Sequence, residues 1–388
     1  TLGEFLTRDT KSYDLIRSKF AYWDDIVVAR DGETVNVSGN GFCGCSRKTL
    51  LQLLQQRCQE EGVNLHFEHN VDDLNQFKDS DYIVACDGIN SVIRDKFASD
   101  FGTKTELKKN KFVWLGSTRP LDAFTYFFRT TPYGTFVAHS YQYQEGMSTW
   151  IFECAPETWE KAGFETTNEQ DTIARISKIF AEELDGHGLI SNRSHWRQFP
   201  AITNDVWHKD NIVLLGDAKA TAHYSIGSGT KLAMECAIAL SDSIVAFGTD
   251  KEKAFAKYEQ LRRNRVEMIQ HAANVSLDWF ENMDRHIKND FYQFAFGVMT
   301  RAKKVTFENL ALRDKSFPEK VLNEFNSKRG IENLKTPSAF TPFSLRKMEL
   351  QNRIAMAPMG QYSAKDGLIN DWHFTHYNNR AIGGLGLI

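Results

Sequence analysis

The stretch that decides the fold is Asn211–Lys231, which reads NIVLLGDAKATAHYSIGSGTK. Four apolar residues that run into Gly216 and Asp217 predict a buried strand that ends at a turn. Loop glycines let the backbone approach another molecule closely, and the helix predicted from about residue 228 begins with unpaired N–H groups. Such a helix start favours a phosphate or another negative charge. An Asp that only caps a helix in an α/β protein is the alternative for this segment taken alone.

A second segment repeats this pattern. Asp81–Arg94 reads DYIVACDGINSVIR, in which an apolar strand is followed by Asp87-Gly88 and then by a helix. Strand-like runs such as Ile26–Ala29, together with a helix between Ser46 and Gly62, indicate an α/β layer from about residue 20 to 97. We expect the turns at Gly88 and Gly216 to converge at one edge of a sheet.

The region from residue 112 to residue 155 has a different pattern. Short alternating segments rich in Phe, Tyr and Thr are separated by Pro132-Tyr133-Gly134 and Glu145-Gly146. This alternation predicts an antiparallel sheet, which would form a second layer facing a substrate.

A competing pattern lies upstream. Gly39-Asn-Gly41-Phe-Cys-Gly44 fits the G-x-G-x-x-G spacing of a dinucleotide-binding turn, and Glu68 follows at the end of the next predicted strand. However, Val35–Ser38 alternates with polar residues, whereas a central parallel strand is apolar on both faces. The pattern is therefore interpreted as a decoy, in which case the true fingerprint and its βαβ unit precede this segment.

Taken together, the Asp-Gly motif, the Gly-Asp motif and an Arg-x-x-Leu helix opened by Arg47 resemble the FAD-dependent aromatic hydroxylases. That resemblance implies a Rossmann-like FAD domain with a β-sheet substrate domain. It implies that Arg47 contacts the pyrophosphate, that Asp217 binds the ribityl chain, and that the backbone at Thr230 and Lys231 meets the pyrimidine edge of the flavin. The implied FAD-binding positions are Arg47, Asp87, Gly88, Gly216, Asp217, Gly227, Gly229, Thr230 and Lys231.

The phrase Ser225–Lys231, SIGSGTK, is similar to that of the salicylyl-CoA 5-hydroxylase and 2-aminobenzoyl-CoA monooxygenase/reductase group. This chain departs from many hydroxylases at three places: it has Lys219-Ala220 where Ala-His is common, Ser225 where a proline precedes the loop glycines, and Cys236 where an Asp is usual. These departures affect the substrate inference more than the FAD inference.

The last fifty or so residues carry a separate signal. Asn352–Tyr362 reads NRIAMAPMGQY, and Asp371–Tyr377 reads DWHFTHY. They resemble the opening of the old yellow enzyme family, which implies the first strands of an FMN-binding TIM (β/α)8 barrel. In that family the backbone at Ala357, Pro358, Met359 and Gly360 meets FMN, and Tyr362 lines the substrate site. A complete barrel takes about 250 residues, so we expect this segment to stop inside the second strand, without the family's downstream catalytic residues.

The expected domains are therefore residues 1–288 for the FAD-binding monooxygenase, with its substrate sheet at about 112–200, a helical linker at 289–335, and a barrel fragment at 336–388. The implied reaction uses NAD(P)H and O2 to hydroxylate an aromatic acyl-CoA, and in the complete protein an FMN domain acts as a reductase. No catalytic acid or base is assigned. Another FAD-dependent oxidoreductase on this scaffold and an inactive truncated chain remain alternatives, and a homodimer is left open.

Composition and charge limit the partners and the location that this chain is expected to have. The net charge of -3 and a pI near 6.4 argue against nucleic acid and anionic membranes as partners. No signal peptide or membrane span is recognisable, so the expected location is the cytoplasm. The six cysteines are expected to be reduced, and no metal site is predicted, because Cys43-x-Cys45 and the His373/His376 pair lack further ligands of suitable spacing.

Overall fold

The computed structural model describes residues 8–71, 73–191 and 193–388. The chain forms two units, of which the first is Thr1–Lys288 with Gly297–Thr306 and the second is Asn289–Phe296 with Phe307–Ile388. The second unit therefore includes residues of the expected linker, and the domain limits inferred from the sequence stay predictions.

The four longest of the described strands follow one another along the chain between residues 104 and 154 and are flanked by shorter strands. In chain order the strands are β1 (Ala21–Trp23), β2 (Ile26–Arg30), β3 (Glu33–Val37), β4 (Phe42–Gly44), β5 (Ile83–Ala85), β6 (Lys104–Ser117), β7 (Phe124–Thr131), β8 (Gly134–Gln144), β9 (Met147–Cys154), β10 (Leu189–Ile190), β11 (Arg197–Thr203), β12 (His208–Lys209), β13 (Ile212–Leu214), β14 (Phe343–Leu345) and β15 (Met348–Leu350).

The two longest of the described helices, Gly229–Phe247 and Lys251–Glu281, follow one another from residue 229 onwards. In chain order the helices are α1 (Thr10–Arg17), α2 (Arg47–Glu60), α3 (Val92–Lys96), α4 (Ala98–Phe101), α5 (Pro156–Lys161), α6 (Glu169–Ile179), α7 (Ala181–Leu184), α8 (Gly229–Phe247), α9 (Lys251–Glu281), α10 (Met283–His286), α11 (Phe291–Thr300), α12 (Phe307–Arg313), α13 (Ser316–Ser327) and α14 (Asp371–Ile382). Within the described ranges, no helix has both the length and the apolar character that crossing a bilayer requires.

The largest sheet has eight strands in the order β10-β6-β9-β8-β7-β2-β3, and β11 also pairs with β6. Strands β6, β9, β8 and β7 are antiparallel neighbours, which confirms the sheet predicted from the alternating pattern. The predicted turns lie between β7 and β8 and between β8 and β9. One face of this sheet packs its core residues, among them Phe136, Trp150 and Phe152, against α6 and the segments beside it.

The run Ile26–Ala29 lies in this large sheet rather than in the α/β layer, which corrects the expectation from the sequence. It forms β2, which runs parallel to β7 and antiparallel to β3. Residues Ile26 and Val28 are buried while their neighbours are partly exposed, a period of two that suits a strand covered on one face.

A smaller three-stranded sheet has the order β12-β13-β5. Strand β13 is buried along its whole length and pairs in parallel with β5, with Leu214 opposite Ala85. The predicted strand before Gly216 is thus present, and it is adjacent to the predicted strand before Gly88.

The G-x-G-x-x-G pattern at residues 39–44 is not a dinucleotide-binding turn. Strand β3, which precedes it, is antiparallel to β2, and Gly44 lies within β4 rather than at a helix start. Helix α2 begins three residues later at Arg47, and Glu68 follows no strand. The decoy interpretation therefore fits the structure.

The second unit contains a short β-α-β arrangement. Residues Ala355 and Leu387 form a parallel bridge on either side of α14, and the N–H of Met356 donates to the carbonyl of Leu387 at 2.9 Å. Among the described residues, the start of the barrel that the resemblance implies is present here only as this bridge and the hydrogen bonds beside it.

Candidate active site

Two glycine turns lie side by side at one edge of the small sheet. Strand β5 ends at Ala85 before Asp87-Gly88, and β13 ends at Leu214 before Gly216-Asp217. The N–H of Leu215 donates to the carbonyl of Ala85 at 2.9 Å, so the strands remain paired up to the turns. Because the strands are parallel neighbours, the turns at Gly88 (φ +87°) and Gly216 (φ +62°) open at the same edge.

Arg94 joins the two turns. Helix α3 starts after Ser91, whose hydroxyl accepts the N–H of Arg94 at 3.0 Å. The Arg94 side chain is buried, and its guanidinium donates to the carbonyl of Ala218 at 3.5 Å. A residue of the Asp-Gly segment thereby contacts the turn of the Gly-Asp segment.

The start of α8 is open. Its N-cap residue Ser228 makes no side-chain bond to the helix N–H groups, so these groups stay available to a ligand. A Cβ atom built at Gly227 or Gly229 would meet nothing within 4 Å. A small pocket lies between the Gly216–Ala220 turn and the first turns of α8, where Gly229 and Ala233 line it.

The nine predicted FAD-contacting positions are all exposed or half-buried. Arg47 is at the first position of α2, and its charge lowers the pKa of Asp217, against a larger effect of burial that raises it. Arg47 and Asp217 are therefore within electrostatic reach of each other. Open glycine positions, uncapped N–H groups and a carboxylate at the turn are the donors and acceptors that a flavin dinucleotide needs, so these residues fit FAD.

Aromatic side chains of the large sheet meet the loop that leads into α8. The ring centroid of Tyr224 lies 4.9 Å from that of Phe112, 6.4 Å from that of Trp114 and 6.3 Å from that of Phe199. Trp114 is 46% exposed despite its size. We call these four residues the aromatic wall; an exposed aromatic surface next to a cofactor turn suits a planar apolar ligand.

Behind the aromatic wall lies a buried carboxylate network, defined here as Asn110, His139, Glu153 and Tyr224. The Glu153 carboxylate accepts from His139 Nε2 at 3.0 Å, from the Tyr224 hydroxyl at 2.9 Å and from Asn110 Nδ2 at 2.8 Å. Glu153 and His139 are almost completely inaccessible to water. Three donors around one buried acid satisfy the condition under which a carboxylate stays charged inside a protein.

The charges in the network follow from these bonds. Burial would raise the pKa of Glu153, but the hydrogen bond from His139, with help from that of Asn110, outweighs burial and lowers the pKa to about 2. Burial lowers the pKa of His139 although Glu153 opposes this. His139 is therefore neutral with its proton on Nε2, and its buried Nδ1 atom has no partner among the described residues. Burial and the Glu153 charge raise the pKa of Tyr224 well above its ordinary value, which keeps the phenol protonated.

Arg301 fixes the loop that carries Tyr224. Its guanidinium donates to the carbonyl of Ser225 and to the hydroxyl of Tyr126, each at 2.6 Å, and to the hydroxyl of Ser276 at 2.9 Å. Arg301 could not be found from the sequence, because Ser225 and Tyr126 lie 76 and 175 residues away from it along the chain. Only the structure shows that Arg301 holds this loop in place by hydrogen bonds.

His223 is a buried residue of the same loop, and its titration should be visible in the stability of the protein. Burial lowers its pKa from 6.5 to about 4 despite the charge of Glu153. Because the unfolded state takes up the proton first, stability is full above pH 6.5 and falls by about 3 kcal/mol as the pH drops towards 4. Urea unfolding measured between pH 7 and pH 4 tests this prediction.

The matched variant for this measurement is His223→Asn. An Asn keeps an acceptor for the N–H of Ser225, which His223 Nδ1 now accepts at 3.4 Å. The variant should lose most of the pH dependence and keep the part that comes from His139, whose pKa is also lowered by burial. If the free energy of unfolding of the variant falls between pH 6.5 and 4 as steeply as that of the unsubstituted chain, the assignment to His223 is contradicted.

In the second unit, the predicted FMN-contacting residues Ala357, Pro358, Met359 and Gly360 line a cavity of about 600 Å³, together with Met356, Tyr377 and Ile388. Tyr362 is fully exposed, and its ring lies beside Gly360, since a Cβ built at Gly360 would come within 3.6 Å of it. His373 completes the capping box of α14 with Asn370, and His376 is buried. Within residues 8–71, 73–191 and 193–388, no cluster of metal-binding side chains occurs and the cysteines are free.

Comparison with known proteins places this geometry in a family. Residues 57–273 match the FAD binding domain family, and residues 338–388 match the NADH:flavin oxidoreductase / NADH oxidase family. The chain is 37% identical over 334 residues to the salicyloyl-CoA 5-hydroxylase of a Streptomyces species, an alignment that covers 84% of this chain and 64% of that protein. It is 38% identical over 270 residues to the 3-hydroxy-4-methyl-anthranilyl-(aryl-carrier protein) 5-monooxygenase of Streptosporangium sibiricum, covering 70% of this chain and 72% of that one.

Solved structures agree on the fold. PqsL of Pseudomonas aeruginosa aligns with a TM-score of 0.56 at 18% identity, over 77% of this chain and 87% of its own. The 2-methyl-3-hydroxypyridine-5-carboxylic acid oxygenase aligns with a TM-score of 0.57 at 14% identity, over 80% of this chain and 85% of its own. The predicted aromatic hydroxylase fold is thereby confirmed.

The fold and the relatives together define a flavoprotein oxidoreductase of the aromatic monooxygenase type. The chain belongs to the FAD binding domain family, and FAD is the cofactor of that family. Its final residues are 53% identical over 51 residues to the NADPH dehydrogenase of Bacillus licheniformis, which is 13% of this chain and 15% of that protein.

Proposed function

We propose that this chain is the FAD-dependent part of a monooxygenase that uses NAD(P)H and O2 to hydroxylate an aromatic acyl-CoA. The observation that supports this most is the position of the aromatic wall. Its residue Tyr224 lies in the loop between the Gly216 turn and the open start of α8, and Phe112 packs against it from β6. A planar ring held there would lie next to the predicted flavin position. The proposed location of the enzyme is the cytoplasm.

The FAD-binding roles are assigned as follows. Arg47 meets the pyrophosphate, Asp217 accepts from a ribityl hydroxyl, and the backbone of Thr230 and Lys231 at the start of α8 meets the pyrimidine edge of the ring. The Asp87-Gly88 turn and Gly216, Gly227 and Gly229 give the close backbone approach. When bound, the flavin supplies the chemistry that takes hydride from NAD(P)H and activates O2.

The chain's own residues orient the substrate and exclude water. The aromatic wall packs against the ring, while Tyr224 is held in one orientation by its bond to the charged Glu153. Arg301 keeps the backbone of Ser225 in place beside it. The carboxylate network is thus a set of positioning residues, with Tyr224 as the member nearest to the ligand.

The substrate class rests on the names of two relatives. Salicyloyl-CoA 5-hydroxylase and the anthranilyl-(aryl-carrier protein) 5-monooxygenase both act, by name, on an aromatic acyl group held by a carrier. An aryl thioester such as salicyloyl-CoA or 2-aminobenzoyl-CoA is therefore the proposed substrate. The cavity at Ala357–Gly360 is proposed to hold FMN in a fused reductase, with Tyr362 at its substrate side.

The test is turnover by the purified chain supplied with FAD. Salicyloyl-CoA or 2-aminobenzoyl-CoA should stimulate NAD(P)H oxidation and give a product that is heavier by one oxygen atom, whereas the free acids should give less of both. Oxidation that no aromatic thioester stimulates, or a chain that does not take up FAD, would refute the proposal.

Tyr224→Phe should uncouple this reaction. Loss of the hydroxyl frees the ring of residue 224 from Glu153, so we expect the yield of oxygenated product per NAD(P)H to fall by about tenfold, which corresponds to one hydrogen bond of about 1.4 kcal/mol. FAD affinity should stay within about twofold. Tyr133→Phe, at an exposed turn tyrosine, is the control and should keep the yield. Equal yields in both variants would remove Tyr224 from the site.

A further inference from the structure

Two residues that depart from the hydroxylase pattern meet in the core. Lys219 follows the Gly216–Ala218 turn, and Cys236 lies two turns into α8. The Lys219 Nζ atom is 2.9 Å from the Cys236 Sγ atom, and the two side chains are 1% and 0% exposed. The pair is therefore a direct amine–thiol contact inside the protein.

Burial and the neighbouring aromatic side chains act on this amine in opposite directions. Lys219 Nζ donates to the Tyr258 hydroxyl at 3.3 Å and lies 4.2 Å from the ring centroid of Trp207, a contact that favours the charged form. Burial lowers the pKa of Lys219, and the charge that Cys236 can carry opposes this. The 2.9 Å contact between the amine and the thiol places Nζ and Sγ within reach of one bridging oxygen atom.

We propose that Lys219 and Cys236 form a site of oxidative cross-linking, in which one oxygen atom from O2 bridges Nζ and Sγ. The N–H and S–H bonds and the O–O bond break, an N–O bond and an O–S bond form, and the second oxygen atom leaves as water with the two remaining hydrogens. O2 accepts four electrons, two from nitrogen and two from sulfur. Four equivalents of a thiol reductant reverse the step and return the amine, the thiol and one water.

The link ties together the two walls of the pocket at the flavin-binding turn. One end of the link is Lys219, which itself lines this pocket. The other end is Cys236 in α8, the helix whose residues Gly229 and Ala233 line the same pocket. The cross-linked chain should unfold at a higher urea concentration, because closing the loop between residues 219 and 236 reduces the freedom of the unfolded chain. A thiol reductant should return the midpoint to its original value.

The experiment needs neither flavin nor substrate, so its outcome is separate from that of the proposed monooxygenase. The purified full chain is kept in air-saturated buffer, digested with a protease that does not cleave at lysine, and measured by mass spectrometry with and without dithiothreitol. The expected species joins the peptides of Lys219 and Cys236, with one oxygen gained and two hydrogens lost. Cys236 recovered as a free thiol, or as its own oxygen acid with Lys219 unmodified, would overturn the proposal.

Two controls accompany the measurement. Cys154 is a buried cysteine of the same unit, and it should remain a free thiol. Lys219→Arg keeps the positive charge but lacks the amine, so the linked species should disappear. Because the main result comes from the unsubstituted chain, the proposal is tested even if this variant does not fold.

Discussion

Glu153→Ala is expected to lower the free energy of unfolding by about 3–5 kcal/mol, because three buried donors lose their acceptor and each unsatisfied donor costs about 1–3 kcal/mol. His139, Tyr224 and Asn110 all lose their acceptor, and the carboxylate that they share is fully buried. Urea unfolding at pH 7 measures the loss.

Glu145→Ala is the matched control, because Glu145 lies in the exposed turn of the same hairpin. It should change the free energy of unfolding by no more than about 0.5 kcal/mol. The acid limb gives a second check: the pKa of Glu153 is lowered from 4.5 to about 2, so its stabilisation is present above pH 4.5 and is lost as the pH falls towards 2. Equal losses in the two variants would show that the network does not stabilise the fold.

Gly229→Glu should greatly weaken FAD binding while leaving the protein folded. A Cβ at this helical position meets nothing within 4 Å, and a carboxylate in the first turn of α8 stabilises the helix by about 0.3–1 kcal/mol. The same carboxylate occupies the position predicted for the flavin and repels its negative charge. We expect the Kd for FAD to rise by about 100-fold or more, measured by quenching of flavin fluorescence.

Gly188→Glu makes the same change at another glycine where an added Cβ meets nothing within 4 Å, and it lies outside the predicted site. This variant should bind FAD like the unsubstituted chain. If the two glutamate variants bind FAD equally, the start of α8 does not face the flavin.

Local patterns predicted the elements of the site well. The four apolar residues before Gly216 predict a buried strand, which is the conformation that they adopt. The glycines after β5 and β13 mark the turns at which these two strands end. The parallel pairing of those strands then places both turns at one edge, as expected from the shared strand–turn–helix pattern. The antiparallel sheet was equally predictable, because its turns contain residues with strong turn preference.

The carboxylate network was not predictable, because it depends on register and on distant contacts. His139 and Glu153 are joined across β8 and β9, and their contact requires the pairing of His139 with Ile151. A one-residue shift would place Glu153 on the other face of the sheet. Tyr224 and Arg301 reach the same region from a loop and from a segment beyond α9, so only the folded chain brings them together.

The most direct test is hydrogen exchange of the chain with and without FAD. We expect FAD to slow the exchange of amides in both residues 86–94 and residues 216–231, at the same FAD concentrations, and to leave the turn at Pro132–Gly134 unaffected. Protection of one segment without the other, or of neither, would contradict the claim that the two turns form a single flavin-binding edge.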